Sequence, residues 1–263
     1  MASSASGALE ASHLTKVIGD RTIVDDVSFT LQPGEVFGFL GPNGAGKTTT
    51  IRMLVGLIKP THGTVTVCGF DIRRQFEEAM RCIGCIVENP DLYRFMTGRE
   101  NLEHFARMLR VQASEVTRVA ALVNLDPRLD QRVGTYSLGM RQRLGIAQAM
   151  LGNPRVLILD EPANGLDPAG IREIRELIRG LAAERAMAVF VSSHLLAEIE
   201  LIADRVAIIH KGKILRSGPV HELISAQRTM EIKVGDVARA SEILRSHDVE
   251  LTTSDDLIFA ALD

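Results

Sequence analysis

The chain has 263 residues, 46% of them hydrophobic, which suffices to bury the core of one or two domains. Its formal net charge of -3 and pI of about 6.2 argue against an extended nucleic-acid surface, because binders of the phosphate backbone carry a basic excess. No run of about 18 consecutive apolar residues occurs, so the chain does not span a bilayer and any membrane role needs a partner chain.

Residues 1–8 lack both a basic start and an apolar centre; they read as a disordered tail, not a signal peptide. Short alternating segments at 13–17 and 22–31 predict strands of a small antiparallel sheet, with turns at Gly19-Asp20 and Pro33-Gly34. The apolar strand Val36–Leu40 then enters Gly41-Pro42-Asn43-Gly44-Ala45-Gly46-Lys47-Thr48-Thr49 and opens a helix over 47–57. This is G-x-x-x-x-G-K-[ST] between a strand and a helix, the context a phosphate cradle requires. The glycines let backbone N-H groups converge on phosphate oxygens, and the helix N-terminus adds positive charge. Lys47 would reach the β- and γ-phosphates, and the Thr48 hydroxyl would coordinate Mg²⁺.

Residues 64–68 return as a strand, 72–81 as a charged helix and 83–87 as a short strand ending at Glu88. Three cysteines, Cys68, Cys82 and Cys85, fit a reducing compartment better than a disulfide framework. Cys82-Ile83-Gly84-Cys85 has metal spacing, but on a strand positions three apart face opposite ways, which suits neither a shared metal nor a redox pair.

A helical subdomain over about 90–152 follows, inserted into an α/β core. Thr97 and Glu100 form a capping box opening a helix to 110, and a second helix covers 114–123. Ser137 caps a third, which runs to 151 and stops at Gly152. Residues 156–162 are an apolar strand ending in Asp160 and Glu161, placed where ligands of open α/β sheets bind. Asp167 and Pro168 start a helix to about 184; a buried strand over 187–192 closes at Ser193-His194. A helix over 195–203 and strands at 206–210 and 213–216, joined by Lys211-Gly212, complete the main body. Beyond Pro219, strands at 229–234 and 249–252 flank a helix capped by Asp236, predicting a β-α-β appendage over 220–263 that stops before a further turn could finish.

Read in order, Gly41 to Thr49, Ser137-Leu138-Gly139-Met140-Arg141, Leu157 to Glu161, Asn164 to Asp167 and His194 resemble the ATP-binding cassette ATPases of ABC transporters over about 9–219. The resemblance implies an α/β phosphate-loop cassette with an antiparallel β subdomain, an inserted helical subdomain and a small appendage. It implies that residues 41–49 bind ATP, that Asp160 holds Mg²⁺ through water, that Glu161 is the general base and that His194 contacts the γ-phosphate. Ser137 and Gly139 are what remains of the signature Leu-Ser-Gly-Gly-Gln, which in the family completes the nucleotide site of a second cassette. Asp167 matches the loop coupling the two sites. The working unit would then be a dimer of cassettes, most simply two identical copies, with a separate transmembrane permease, on the cytoplasmic face of a bacterial membrane and without nucleic acid.

Two positions depart from the common pattern. Val17-Ile18 stand where an aromatic residue usually stacks on adenine, so ATP and GTP would be less sharply distinguished. Glu88 replaces a glutamine that normally touches Mg²⁺ and faces the membrane partner; a carboxylate there is similar to exporters of peptide antibiotics, including bacitracin-type and lantibiotic-immunity systems. A soluble ABC-type ATPase acting in translation or DNA repair is the alternative, though such relatives usually carry tandem cassettes or long coiled coils.

Overall fold

All five residues of the strand before the phosphate loop are buried, which only a mid-sheet strand covered on both faces achieves. The computed structural model describes residues 7–225, 229–234, 237–245, 251–254 and 257–261. In chain order the first elements are β1 (Leu9–Ile18), β2 (Arg21–Leu31), β3 (Val36–Leu40), α1 (Lys47–Leu54), β4 (His62–Val67), β5 (Phe70–Asp71), α2 (Phe76–Arg81) and β6 (Ile83–Ile86). The helical region supplies α3 (Gly98–Leu109), α4 (Ser114–Leu122) and α5 (Leu138–Ala149). Then come β7 (Val156–Asp160), α6 (Pro168–Arg185), β8 (Ala188–Ser193), α7 (Leu196–Ile202), β9 (Arg205–His210) and β10 (Lys213–Pro219).

Two sheets result, one ordered β2-β1-β4-β5 and antiparallel, the other ordered β10-β9-β3-β8-β7-β6 with β9, β3, β8, β7 and β6 parallel. Phe29 of β2 joins them, stacking on Phe37 of β3 with ring centroids 5.2 Å apart and meeting Phe190 of β8 at 5.6 Å. Each such ring pair contributes about 0.5–1.5 kcal/mol beyond its buried area, so the sheets are held at a fixed spacing.

Several boundaries differ from the sequence expectation for local reasons. Ala8 donates its amide to the Leu31 carbonyl and accepts from the Cys68 amide, both at 2.8 Å, so the chain is tied to the antiparallel sheet from Ala8, the last residue of the expected tail. Residues 1–6 lie outside the described residues. The expected helix over 72–81 begins only at Phe76, because the Asp71 carboxylate accepts from the amides of Arg73 and Arg74 and closes a turn first. α1 stops at Leu54, two residues before Gly56 takes a φ of 70°. The Thr97–Glu100 capping box is present with both reciprocal bonds, and the helix it opens starts directly at Gly98.

The chain forms two units, Met1–Ser217 and Gly218–Asp263. In the second, α8 (Val220–Ser225) precedes β11 (Thr229–Lys233), α9 (Val237–Arg245), β12 (Leu251–Ser254) and β13 (Leu257–Ala261). The final strand, unforeseen in sequence, is the central one of an antiparallel sheet ordered β11-β13-β12. Asp236 and residues 249–250, expected to cap the helix and to begin a strand, lie outside the described residues. Among the described residues no helix is long and apolar enough to cross a membrane.

Cys82 does not lie on the strand with Cys85: it caps the C-terminus of α2, and its thiol donates to the Glu78 carbonyl at 3.4 Å. Its neighbour is Cys68, whose own thiol is pushed up to about 11 by burial and by the hydrogen bond with Cys82. A thiol with that pKa is almost wholly protonated at pH 8, so Cys68 should alkylate about a hundredfold more slowly than a free cysteine and accelerate as pH rises toward 11. Timed alkylation with peptide mass spectrometry reads this directly.

Candidate functional site

The parallel strands β3, β8 and β7 end on one edge of the six-stranded sheet, and the loops leaving them build the site. After β3 the chain turns sharply at Gly41, whose amide donates to the Ser193 carbonyl at 3.1 Å. A Cβ on Gly41 would lie 2.4 Å from the Ile209 carbonyl oxygen, so no other residue fits. Pro42, Asn43, Gly44 and Ala45 complete the turn, with the Ala45 amide bonded to the Pro42 carbonyl at 3.1 Å. Gly46 precedes the helix at φ 108°, a left-handed value that favours glycine. α1 then starts with no acidic residue in its first turn, leaving the positive end of its dipole for an external anion.

Lys47 folds back over the loop. Its ammonium, in a residue only 5% exposed, donates to the Gly41 carbonyl at 2.6 Å and the Pro42 carbonyl at 3.3 Å, and sits 3.1 Å from Glu161 Oε1. Thr48 Oγ1 donates to Asp160 Oδ2 at 3.0 Å, although β8 separates their two strands; α1 bridges the gap by packing across the strand ends. Thr49 continues the helix. Glu161, with φ 50°, directs its other oxygen to His194, 2.5 Å from Nδ1, which makes that nitrogen the donor.

Lys47, Glu161 and His194 are joined by direct contacts, and Thr48 is hydrogen-bonded to Asp160, so these five residues gather at one edge of the sheet. Sequence reasoning passed over a further member, Ser192, whose hydroxyl contacts Asp160 at 2.5 Å. The only available signal was register: Ser192 is directly opposite Asp160 across β8 and β7.

The remaining candidates take no part in this set. Ser137 accepts from the Met140 amide at 3.2 Å and caps α5, while Asp167 accepts from the Gly170 amide at 2.9 Å and caps α6. With Gly139, Gly165 and Leu166 they line a separate groove of about 460 Å³. The turn before Ser137 is anchored by buried Tyr136, whose hydroxyl donates to the Arg128 carbonyl at 2.7 Å and whose carbonyl accepts from Arg141. Glu88, at φ 68° and 58% exposed, is bonded by Arg52 at 2.6 Å and does not reach Asp160 in this arrangement.

The donor set suits Mg²⁺ with a polyphosphate. Thr48 and Asp160 offer hard oxygen ligands, and the described residues hold no group of three or more His, Cys, Asp or Glu that could enclose a metal. A Mg²⁺ bound by one or two protein oxygens and completed by phosphate and water fits that sparseness. A cation that turns back onto its own loop beneath a helix start, with two acids at the end of a strand two places away in the sheet, defines a phosphate-loop nucleoside triphosphatase.

Comparison with known proteins narrows the class. Residues 24–164 match the family described as ABC transporter. The chain is 54% identical over 243 residues, covering 92% of its length and 80% of the relative's, to a Bacillus subtilis protein named as uncharacterized ABC transporter ATP-binding protein YhcH. It is 45% identical over 241 residues to the bacitracin transport ATP-binding protein BcrA of Bacillus licheniformis, covering 91% of this chain and 79% of that one. A solved ATP-binding subunit of an ABC transporter superposes with a TM-score of 0.73 at 30% identity, covering 82% of this chain and 91% of that one. The chain belongs to the ABC transporter family and is one of its ATP-binding ATPase subunits. Cassettes of this family work as dimers beside a membrane permease.

Proposed function

We propose that this subunit hydrolyses ATP at the edge formed by Lys47, Thr48, Asp160, Glu161 and His194, and that the energy drives export of drugs or peptide antibiotics through a separate permease at the cytoplasmic face of the membrane. Mg²⁺, held by Thr48 and through water by Asp160, would neutralise charge on the phosphates. Glu161 would accept the proton of the attacking water while His194, donating to its second oxygen, holds the carboxylate in place. Lys47, released from the Gly41 carbonyl, would take the β- and γ-phosphates.

The observation that carries the dimeric part is the separation of two half-sites. The groove of Ser137, Gly139 and Asp167 shares no hydrogen bond with the phosphate edge among the described residues, and α5 has no acidic residue in its first turn to neutralise its N-terminus. Each copy would offer that N-terminus to the γ-phosphate held by the other. Transmission would run through residues 88–101. There Asn101, fully buried, accepts from the Tyr93 amide and donates to the Tyr93 and Thr97 carbonyls, fixing a segment that presents Tyr93 and Phe95 outward at 40% and 70% exposure.

Support for the cargo class comes from the likeness to a bacitracin transport protein and from Glu88; the translation and DNA-repair reading is not retained. Deleting the gene should lower the inhibitory concentration of at least one peptide antibiotic, bacitracin first. Unchanged sensitivity across a panel of such antibiotics would overturn the cargo assignment and leave the ATPase untouched.

A further inference from the structure

Ser192, the last residue but one of β8, is fully buried, and both acids of the site are bonded to it. Its hydroxyl accepts from the Glu161 amide at 3.0 Å and lies 2.5 Å from Asp160 Oδ1. The amide can only donate, so the single hydroxyl proton goes to the carboxylate. That bond occupies Oδ1 and leaves Oδ2 as the oxygen turned to Thr48 Oγ1, 3.0 Å away. The other bond holds the backbone of Glu161 in its left-handed conformation at φ 50°, which residues other than glycine seldom adopt. The neighbouring serine cannot replace it: Ser193 turns to Glu198 at 2.6 Å and accepts from the Leu195 amide at 3.0 Å.

We infer that Ser192 is a positioning residue for ATP hydrolysis, selecting which Asp160 oxygen faces the metal-binding threonine and aiming the Glu161 carboxylate between Lys47 and His194. The inference rests on the roles proposed above for Asp160 and Glu161. Its physical content is that one buried hydroxyl ties the two acids together, so that they are oriented as a unit. Side chains that orient metal-facing groups in this way typically change metal affinity or activity by about 10- to 100-fold when removed.

The test is binding of a fluorescent ATP analogue to the full-length protein, titrated in Mg²⁺ and again in EDTA, alongside phosphate release. Ser192→Ala should bind as the unaltered protein does in EDTA, lose about tenfold or more of the affinity gained with Mg²⁺, and release phosphate more slowly. Ser192→Thr, which keeps the hydroxyl, should restore most of the Mg²⁺ gain. Should the alanine variant not fold, Ser192→Cys, of similar size but a weaker donor, must show the same selective loss. Equal weakening with and without Mg²⁺ would mean a merely structural residue and would overturn the inference. A full Mg²⁺ gain in Ser192→Ala beside its loss in Asp160→Asn overturns the inference alone. A full gain in Asp160→Asn removes the Asp160 assignment and the inference with it.

Discussion

Replacing Glu161 by glutamine should leave ATP bound and slow its hydrolysis by about 10²- to 10⁴-fold, the range over which a positioned general base accelerates reactions. The geometry explains why binding survives. Glu161 Oε1 sits 3.1 Å from the Lys47 ammonium and Oε2 2.5 Å from His194, so its carboxylate competes with phosphate for the same cation. An uncharged amide relaxes that competition, and the affinity for ATP should hold or rise while the water loses its proton acceptor. Near-normal phosphate release from the variant would remove Glu161 from the role. A coincident loss of binding would instead assign it to nucleotide recognition.

Which parts of this site could be read before the fold was known follows from the range of the forces involved. The phosphate loop is local: Gly41, Gly44 and Gly46 are demanded by backbone geometry within nine residues of Lys47 and Thr48, so their pattern survives in sequence. The caps at Thr97, Ser137 and Asp167 are equally local, each closing a bond three residues ahead. Ser192 was invisible because its partner Asp160 is 32 positions away and meets it only through the register of β8 on β7. The Arg52–Glu88 pair, spanning 36 positions, escaped for the same reason. Where sequence misplaced a boundary, a side chain had intervened: the Asp71 carboxylate delays α2, and the two backbone bonds of Ala8 extend the antiparallel sheet. In the second unit sequence located β11 and the neighbourhood of β12 but not β13, whose central place in the sheet is set by long-range pairing.

The other large effect is at Lys47. Lys47→Ala should weaken ATP binding by about 30-fold or more, since truncating one member of a buried charge pair costs about 2–5 kcal/mol. Two losses combine. The phosphates lose a cation, and Glu161, 21% exposed and 3.1 Å from where the ammonium stood, keeps a carboxylate facing them with no lysine to offset it. The second loss is reversible by design: Lys47→Ala with Glu161→Gln should bind ATP more tightly than Lys47→Ala alone, while hydrolysing none. Such non-additivity is expected of two groups in direct contact, and titration of a fluorescent ATP analogue against the three variants measures it. If the double variant binds no better than Lys47→Ala, the ion pair does not hold Glu161 against the phosphates. If Lys47→Ala binds and turns over ATP normally, the phosphates lie elsewhere and the glycine loop is not their cradle.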